Sequence, residues 1–217
     1  MKLRETILNL LFPPKCSLCQ RVQDSAGICA VCEKELPLTA EQETLRKGPG
    51  GLRCAAPVWY EGAVREAILR LKFQGAASAA EPLGELIARV AAEEFGGEFD
   101  TVTWVPVSRK RLRKRGYDQA RLLAEAACRR WDVEPVPLLR KIVDNPPQSG
   151  IRDAAARRAN VLGVYEASAA ARGRRILLVD DICTTGATLT ECIRVLKGAG
   201  AEDVVCAVVA LSRQKKV

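Results

Sequence analysis

The sequence predicts an α/β protein, a parallel sheet covered by helices on both faces, with a small four-cysteine module at its N-terminal end. Three observations carry this. From Val58 onward, short β-rich apolar runs alternate with longer stretches of helical period, the order that builds a doubly covered sheet. The runs Ile176 to Val179 and Val204 to Leu211 are apolar throughout, as strands buried on both faces are. Four of the nine cysteines fall in FPPKCSLCQRVQDSAGICAVCEKEL, ahead of a polar Gly/Pro-bearing segment, Glu41 to Gly51. That change of composition sets a boundary, giving residues 1–50 to the cysteine module and 51–217 to the sheet domain. A length of 217 residues accommodates one such domain with an appendage, and not two of full size.

The elements follow in order. Val58 to Tyr60 reads as a short strand, and Val64, Ile68 and Leu71 mark a helix by their spacing. A second helix covers Pro82 to Glu94. Thr101 to Val107 is a strand, Gln119 to Trp131 a helix, Val136 to Ile142 a strand, Arg152 to Arg158 a short helix, and Val161 to Tyr165 a strand. Arg175 to Val179 is a buried strand, Ala187 to Lys197 a helix ended by Gly198 and Gly200, and Val204 to Leu211 the last strand. Ligands of such sheets bind beyond the carboxyl ends of the strands, which directs attention to the loops after Val107 and Val179.

Composition narrows the chemistry. The chain contains no histidine, which excludes serine–histidine triads, cysteine–histidine dyads and mixed Cys/His metal sites, so acid–base work falls mainly to carboxylates. The net charge is +8, and residues 101–217, with 22 basic and 12 acidic side chains, hold the whole excess. Such a field favours polyanionic partners, either a phosphate-rich small molecule or nucleic acid. No apolar run approaches the roughly 20 residues of a membrane span. Asn9 interrupts the apolar start and no small-residue cleavage site follows, which argues against a signal peptide and for cytoplasmic, reduced cysteines.

Cys16 and Cys19, then Cys29 and Cys32, form two C-x-x-C pairs nine residues apart. Two tight turns at that spacing present four thiolates to one tetrahedral zinc ion. With four protein ligands the zinc is expected to be structural, holding a segment too small to fold by burial alone. Cys128, Cys192 and Cys206 suit buried core positions.

RILLVDDICTTGATL, Arg175 to Leu189, is the most informative stretch: an apolar strand, two carboxylates, a Thr/Gly-rich turn, then a helix. Backbone N–H groups of Thr184, Thr185, Gly186, Ala187 and Thr188, with the Thr hydroxyls and the helix N-terminus, make an anion cradle, and Gly186 permits close approach. Asp180 and Asp181 would repel a phosphate unless their oxygens face other donors, for which ribose hydroxyls are suited. Successive strand residues point to opposite sides, so one carboxylate can hold the sugar while the other faces metal or acceptor. Cys183, near the helix N-terminus, is either a reactive thiol or a small residue facing away from ligand.

After the strand Thr101 to Val107 comes SRKRLRKRGYDQA, where Arg109, Lys110, Arg111, Arg113, Lys114 and Arg115 place six cations in seven residues. Three readings stay open: a pyrophosphate cradle including Ser108, a surface for single-stranded nucleic acid made by Arg111, Arg113, Lys114 and Arg115, or a solvated helix face.

The acidic turn resembles the type I phosphoribosyltransferases, whose fingerprint D-D-x-x-x-T-G-x-T is matched by Asp180, Asp181, Thr185, Gly186 and Thr188. Taken over nearly its whole length, the chain resembles the ComF family, whose competence-associated and GntX-like members join a cysteine zinc module to a phosphoribosyltransferase-like domain. That resemblance rests on FPPKC with its paired C-x-x-C, on Leu71-Lys72-Phe73 followed by Gly75, on Pro106 through Arg115-Gly116-Tyr117-Asp118-Gln119, on Gln148 with Arg157 and Asn160, and on the acidic turn. Two departures are Tyr117-Asp118 where the family usually has Phe-Asn, and the absence of the further cysteine pairs many members carry, with Cys54 a remnant. The resemblance implies a type I phosphoribosyltransferase fold, phosphoribosyl pyrophosphate with Mg²⁺ as ligand, and displacement of pyrophosphate at the anomeric carbon. Catalysis would fall to Asp180 and Asp181. Ligand contacts would come from residues 183–188 with Ser108, Arg109, Lys110 and Arg115, and Gln148, Arg157 and Arg158 would sit on a loop closing over the site. The family also implies the rival role, a non-catalytic protein binding single-stranded DNA within the machinery of competence and DNA uptake.

Overall fold

A computed structural model describes residues 13–145 and 160–213. In the N-terminal module the chain folds back on itself through backbone bridges, Lys15 to Val22 and Cys16 to Gly27, and continues into a short helix, α1, Ala30–Lys34, capped by Cys29. The chain then runs along the sheet domain. Leu38 bridges Val58, Trp59 N–H donates to the Pro37 carbonyl at 2.7 Å, and Thr39 N–H to that of Pro57 at 3.0 Å.

The sheet has six strands. β1 (Leu45–Gly48) and β2 (Leu52–Ala55) form an antiparallel hairpin, so the pairing straddles residue 50, where composition sets the boundary. β2 and then β3 (Val58–Trp59) pair in turn along one edge of β8 (Asp203–Leu211), both parallel to it. On its other edge β8 pairs with β7 (Arg175–Cys183), and β7 with β4 (Thr101–Trp104), again parallel. A separate antiparallel pair, β5 (Leu139–Lys141) and β6 (Tyr165–Ala167), flanks the sheet.

Alternation along the central strands builds two cores. Leu177, Val179, Val205, Ala207 and Val209 face α2 (Gly62–Phe73), α3 (Ala80–Phe95) and α5 (Gln119–Cys128). Ile176, Leu178, Val204, Cys206 and Val208 face α6 (Ala187–Gly198) and the β5–β6 pair. The doubly covered parallel sheet expected from the apolar runs is therefore present. α3 and α5 pack closely because Gly84 leaves no side chain between them: a Cβ there would come within 2.5 Å of that of Ala126. Cys54, Cys128, Cys192 and Cys206 are all fully buried.

Several boundaries differ from those expected, each for a local reason. β4 stops at Trp104 because Pro106 has no N–H with which to continue the ladder after Val105 donates to Val179. Residues 136–138 lie along β4 through single bonds, from Val136 to Val102 and from Leu138 to Thr103, but Pro135 and Pro137 break the pattern, leaving a three-residue β5. The run from Val161 turns at Gly163, so β6 starts at Tyr165 and not at Val161. β7 is longer than its apolar run. It continues through Asp180 and Asp181 to Cys183, paired with Val208 through Leu211. The helix expected over Arg152 to Arg158, and with it Gln148, Arg157 and Arg158, lies outside the described residues.

The carboxyl ends of β3, β4 and β7 lead into α2, into α4 (Arg109–Arg115) and into the turn before α6. One cleft of about 470 Å³ opens there, lined by all three connections.

Candidate functional site

The turn from β7 to α6 is set by its glycine. Gly186 sits at φ +78° as the N-cap of α6, and a Cβ there would approach Leu52 Cδ2 to 2.4 Å. Glycine thus supplies the left-handed conformation and leaves room for a core leucine. Thr185 Oγ1 accepts the Ala187 N–H at 3.4 Å, which occupies one of the amides expected to be open. The amides of Thr184, Thr185 and Gly186 have no acceptor among the described residues, and all three residues line the cleft. Cys183 is 1% exposed. Its thiol packs next to Cys54, which together with Arg46 holds it below the usual thiol range despite burial. It is a packed side chain, not an accessible nucleophile.

The two carboxylates point to opposite sides of β7. Asp181 is 3% exposed and faces α2 and α5, where Oδ1 pairs with Lys72 Nζ at 2.9 Å and Oδ2 accepts from Gln119 Nε2 at 3.3 Å. Gln119 in turn accepts from Arg115 Nη1 at 2.8 Å, and the Arg115 guanidinium lies over the Phe73 ring at 5.0 Å. Burial alone would lower the Lys72 pKa, but the Asp181 carboxylate outweighs it and raises it. Asp180 faces the other side. One oxygen accepts the Asp181 N–H at 2.8 Å, and burial, then the Asp181 charge, pushes its carboxyl well above the usual range.

The basic run folds as α4, and helical period divides its charges between two faces. Arg111 and Arg115, four residues apart, are half-buried and line the cleft, whereas Arg109, Lys110, Arg113 and Lys114 are exposed on the outside. Neither the cradle nor the nucleic-acid surface expected from the run is therefore a single array. Ser108 is the N-cap of α4: it accepts from Arg111 N–H at 3.2 Å, donates to Asp144 at 2.5 Å, and does not line the cleft. Arg109 and Lys110 do not line it either. Asp118 caps α5 through the amides of Ala120 and Arg121 and also accepts the Val107 N–H at 2.9 Å, which fixes the loop after β4 to that helix. Tyr117 donates to the Leu71 carbonyl at 2.5 Å and packs, partly buried, against the core.

Lys72, Gln119, Lys141 and Tyr165 also line the cleft and were not singled out as site residues from the sequence. Lys72 and Gln119 lie within stretches on which the family resemblance rests. Lys141 and Tyr165 carry no local signal. The Lys141 ammonium lies 5.3 Å from the Tyr165 ring centroid, and burial together with Arg111 lowers its pKa to about 8.

The N-terminal cysteines assemble. Sγ atoms of Cys16, Cys19, Cys29 and Cys32 all lie within 4.8 Å of one another, with Cys19 and Cys29 at 3.8 Å. A zinc tetrahedron with bonds of about 2.3 Å has edges near ~3.8 Å, so the set fits the ion. Burial raises the Cys16 pKa, but the amides of Cys19, Cys29 and Leu18 outweigh it and bring it to about 6, while burial pushes Cys32 up. With zinc bound all four would act as thiolates, the ion offsetting their mutual repulsion. Mg²⁺ has a sparser donor set: both Asp181 oxygens are engaged, which leaves the second Asp180 oxygen as the open carboxylate position on β7.

A phosphoribosyltransferase-type domain carrying a zinc ribbon is what this fold and cleft define. The phosphoribosyl transferase domain family matches residues 113–217 and the double zinc ribbon family residues 7–63. Over most of its length the chain is similar to proteins named for competence and DNA utilization. It is 28% identical to the DNA utilization protein YhgH of Escherichia coli K12, over 88% of each chain. It is 27% identical to competence protein ComFC of Bacillus subtilis, over 85% of this chain and 72% of that one. It is 28% identical to competence protein F of Haemophilus influenzae, over 87% and 86%. Among solved structures, glutamine phosphoribosylpyrophosphate amidotransferase from B. subtilis matches at 23% identity and a TM-score of 0.39, over 61% of this chain and 26% of that one. The chain thus spans about a quarter of the amidotransferase. TT1426 from Thermus thermophilus matches at 18% identity and a TM-score of 0.38, over 64% and 85%. Although the N-terminal family is a double ribbon, a single four-cysteine set is assembled among the described residues, and Cys54 lies instead in the sheet core. No helix among the described residues is long and apolar enough to cross a membrane.

Proposed function

We propose that the chain binds phosphoribosyl pyrophosphate in the cleft at the carboxyl ends of β4 and β7 and transfers the phosphoribosyl group to an acceptor. The observation that carries this reading is a single cleft with three open amides at one wall, two carboxylates at its floor, and Lys72, Arg111 and Arg115 around it. In this reading the amides of Thr184 to Gly186 hold the sugar phosphate, and Asp180, with its open oxygen, reaches the ribose hydroxyls. Asp181, paired with Lys72 and linked through Gln119 to Arg115, positions those two cations. Arg111, Arg115 and Lys72 stabilise charge on the departing pyrophosphate as the anomeric carbon becomes oxocarbenium-like. Mg²⁺ bound with the substrate would neutralise the same leaving group, with Asp180 as its protein contact. Phosphoribosyl pyrophosphate with Mg²⁺ at about 100 times its Kd is expected to stabilise the protein by ~2.7 kcal/mol, read as a rise in Tm. No rise at millimolar ligand would end this reading.

A second reading, single-stranded DNA binding in DNA uptake, is favoured by two observations: Arg109, Lys110, Arg113 and Lys114 are exposed outside the cleft, and relatives carry competence and DNA-utilization names. Affinity for a single-stranded oligonucleotide should then fall steeply with salt, and the double variant Arg113→Ala plus Lys114→Ala should reduce the log–log slope by about 1.4. An unchanged slope removes these residues from any such interface.

A further inference from the structure

Arg46, on the hairpin strand β1, is 137 residues from the turn it touches. Its Nη1 donates to the Cys183 carbonyl at 3.1 Å and the Thr184 carbonyl at 2.7 Å, and its Nη2 to the Ser212 carbonyl at 2.6 Å. Ser212 N–H in turn donates to the Cys183 carbonyl at 3.0 Å, so one guanidinium ties together the ends of both central strands. In a planar trans peptide the C=O and the following N–H point in opposite directions. The carbonyl of Cys183 shares its peptide with the N–H of Thr184, and that of Thr184 with the N–H of Thr185. Drawing both carbonyls to Arg46 therefore turns these two N–H groups away from it. They are among the amides without an acceptor, on residues that line the cleft.

We propose that Arg46 is a positioning residue for anion binding: it fixes the two peptide planes so that their dipoles aim into the cleft, and its charge polarises them into stronger donors. This rests on the phosphate-binding reading of the turn. It adds that the direction of these two amides is imposed by the N-terminal hairpin as well as by the turn's own glycine. The fork geometry matters as well as the charge, since one lysine ammonium is not preorganised to hold three carbonyls in fixed directions.

The test is titration of the full-length zinc-loaded protein with ribose 5-phosphate, followed by the backbone amide resonances of Thr184 and Thr185, for wild type, Arg46→Met and Arg46→Lys. In wild type both resonances should move downfield on binding. Arg46→Met should weaken binding about tenfold or more, the usual scale for losing hydrogen bonds to a charged group. In the free protein it should shift these two resonances while leaving those of α3 and α5 in place. Arg46→Lys should recover only part of the affinity, and it serves as the readout if Arg46→Met does not fold. Wild type that binds, together with a folded variant that binds within twofold of it and shows the same two shifts, would overturn the role of Arg46 and leave the phosphate site standing. Wild type that does not bind would overturn the phosphate site itself, and this proposal with it.

Discussion

Asp180→Asn is expected to melt at a higher temperature than wild type in the absence of ligand, and to lose the response to phosphoribosyl pyrophosphate. The Asp180 carboxyl is held well above its usual range, first by burial and then by the neighbouring Asp181 charge. Folding therefore favours its neutral form. Between the unfolded-state pKa and the raised folded one, the native state binds more protons, so stability falls as pH rises through that window, and the cost is complete above it. An amide of the same shape carries no such cost. Relieving an unfavourable charge typically returns about 0.5–2 kcal/mol, or roughly 1–8 °C in Tm for a chain of this length. The same change removes the open carboxylate oxygen. Melting curves of both proteins from acid to neutral pH, with and without ligand and Mg²⁺, provide the check. The gain should vanish at acid pH, where wild type is itself protonated. A variant less stable at neutral pH, or one that still responds fully to ligand, would contradict this account of β7.

The second large effect concerns metal. Zinc analysis should give one equivalent per chain, because the second set of a double ribbon is not assembled among the described residues. Structural zinc is worth about 10–16 kcal/mol in isolated zinc-finger peptides at neutral pH. Chelation, or Cys16→Ser, should therefore cost more than any single packing change in the domain. Cys16, Leu18 and Cys32 belong to the core shared with α2 and α3, and Arg70 Nη2 donates to the carbonyls of Ser17 and Leu18 at 3.1 and 2.5 Å. Loss of metal should accordingly be felt in α2, which carries Lys72. Hydrogen exchange before and after chelation would show protection lost first across the residues around Cys16 to Cys32 and then in α2. Two equivalents of zinc, or α2 protection untouched by its removal, would contradict the coupling.

Much of this architecture was legible because it is local. The continuously apolar runs of β7 and β8 announce strands buried on both faces, and the paired C-x-x-C turns announce their own metal. The acidic turn places two carboxylates and three amides within nine residues. What escaped was decided either by one residue's missing N–H, as at Pro106, or by partners far apart in the chain. Lys72 meets Asp181, and Arg46 meets Thr184, only because the sheet brings their strands and helices together. No periodicity or spacing encodes such a meeting. The basic run lies between these cases. Its charge was obvious, but a count of cations could not show that period 3.6 would turn Arg111 and Arg115 inward and Arg113 and Lys114 outward.

The stretch from Pro37 to Thr39, which lies against β3 on the way from the cysteine module to the hairpin, has a consequence for any dissection of this protein. It occupies main-chain groups of Val58, Trp59 and Pro57 that would otherwise be an open flank. A fragment started at residue 51 would discard that guard along with β1. Bare strand flanks recruit other chains by the same pairing that builds sheets. Such a fragment should self-associate, so that its failure to bind anything would report on aggregation and not on the missing module.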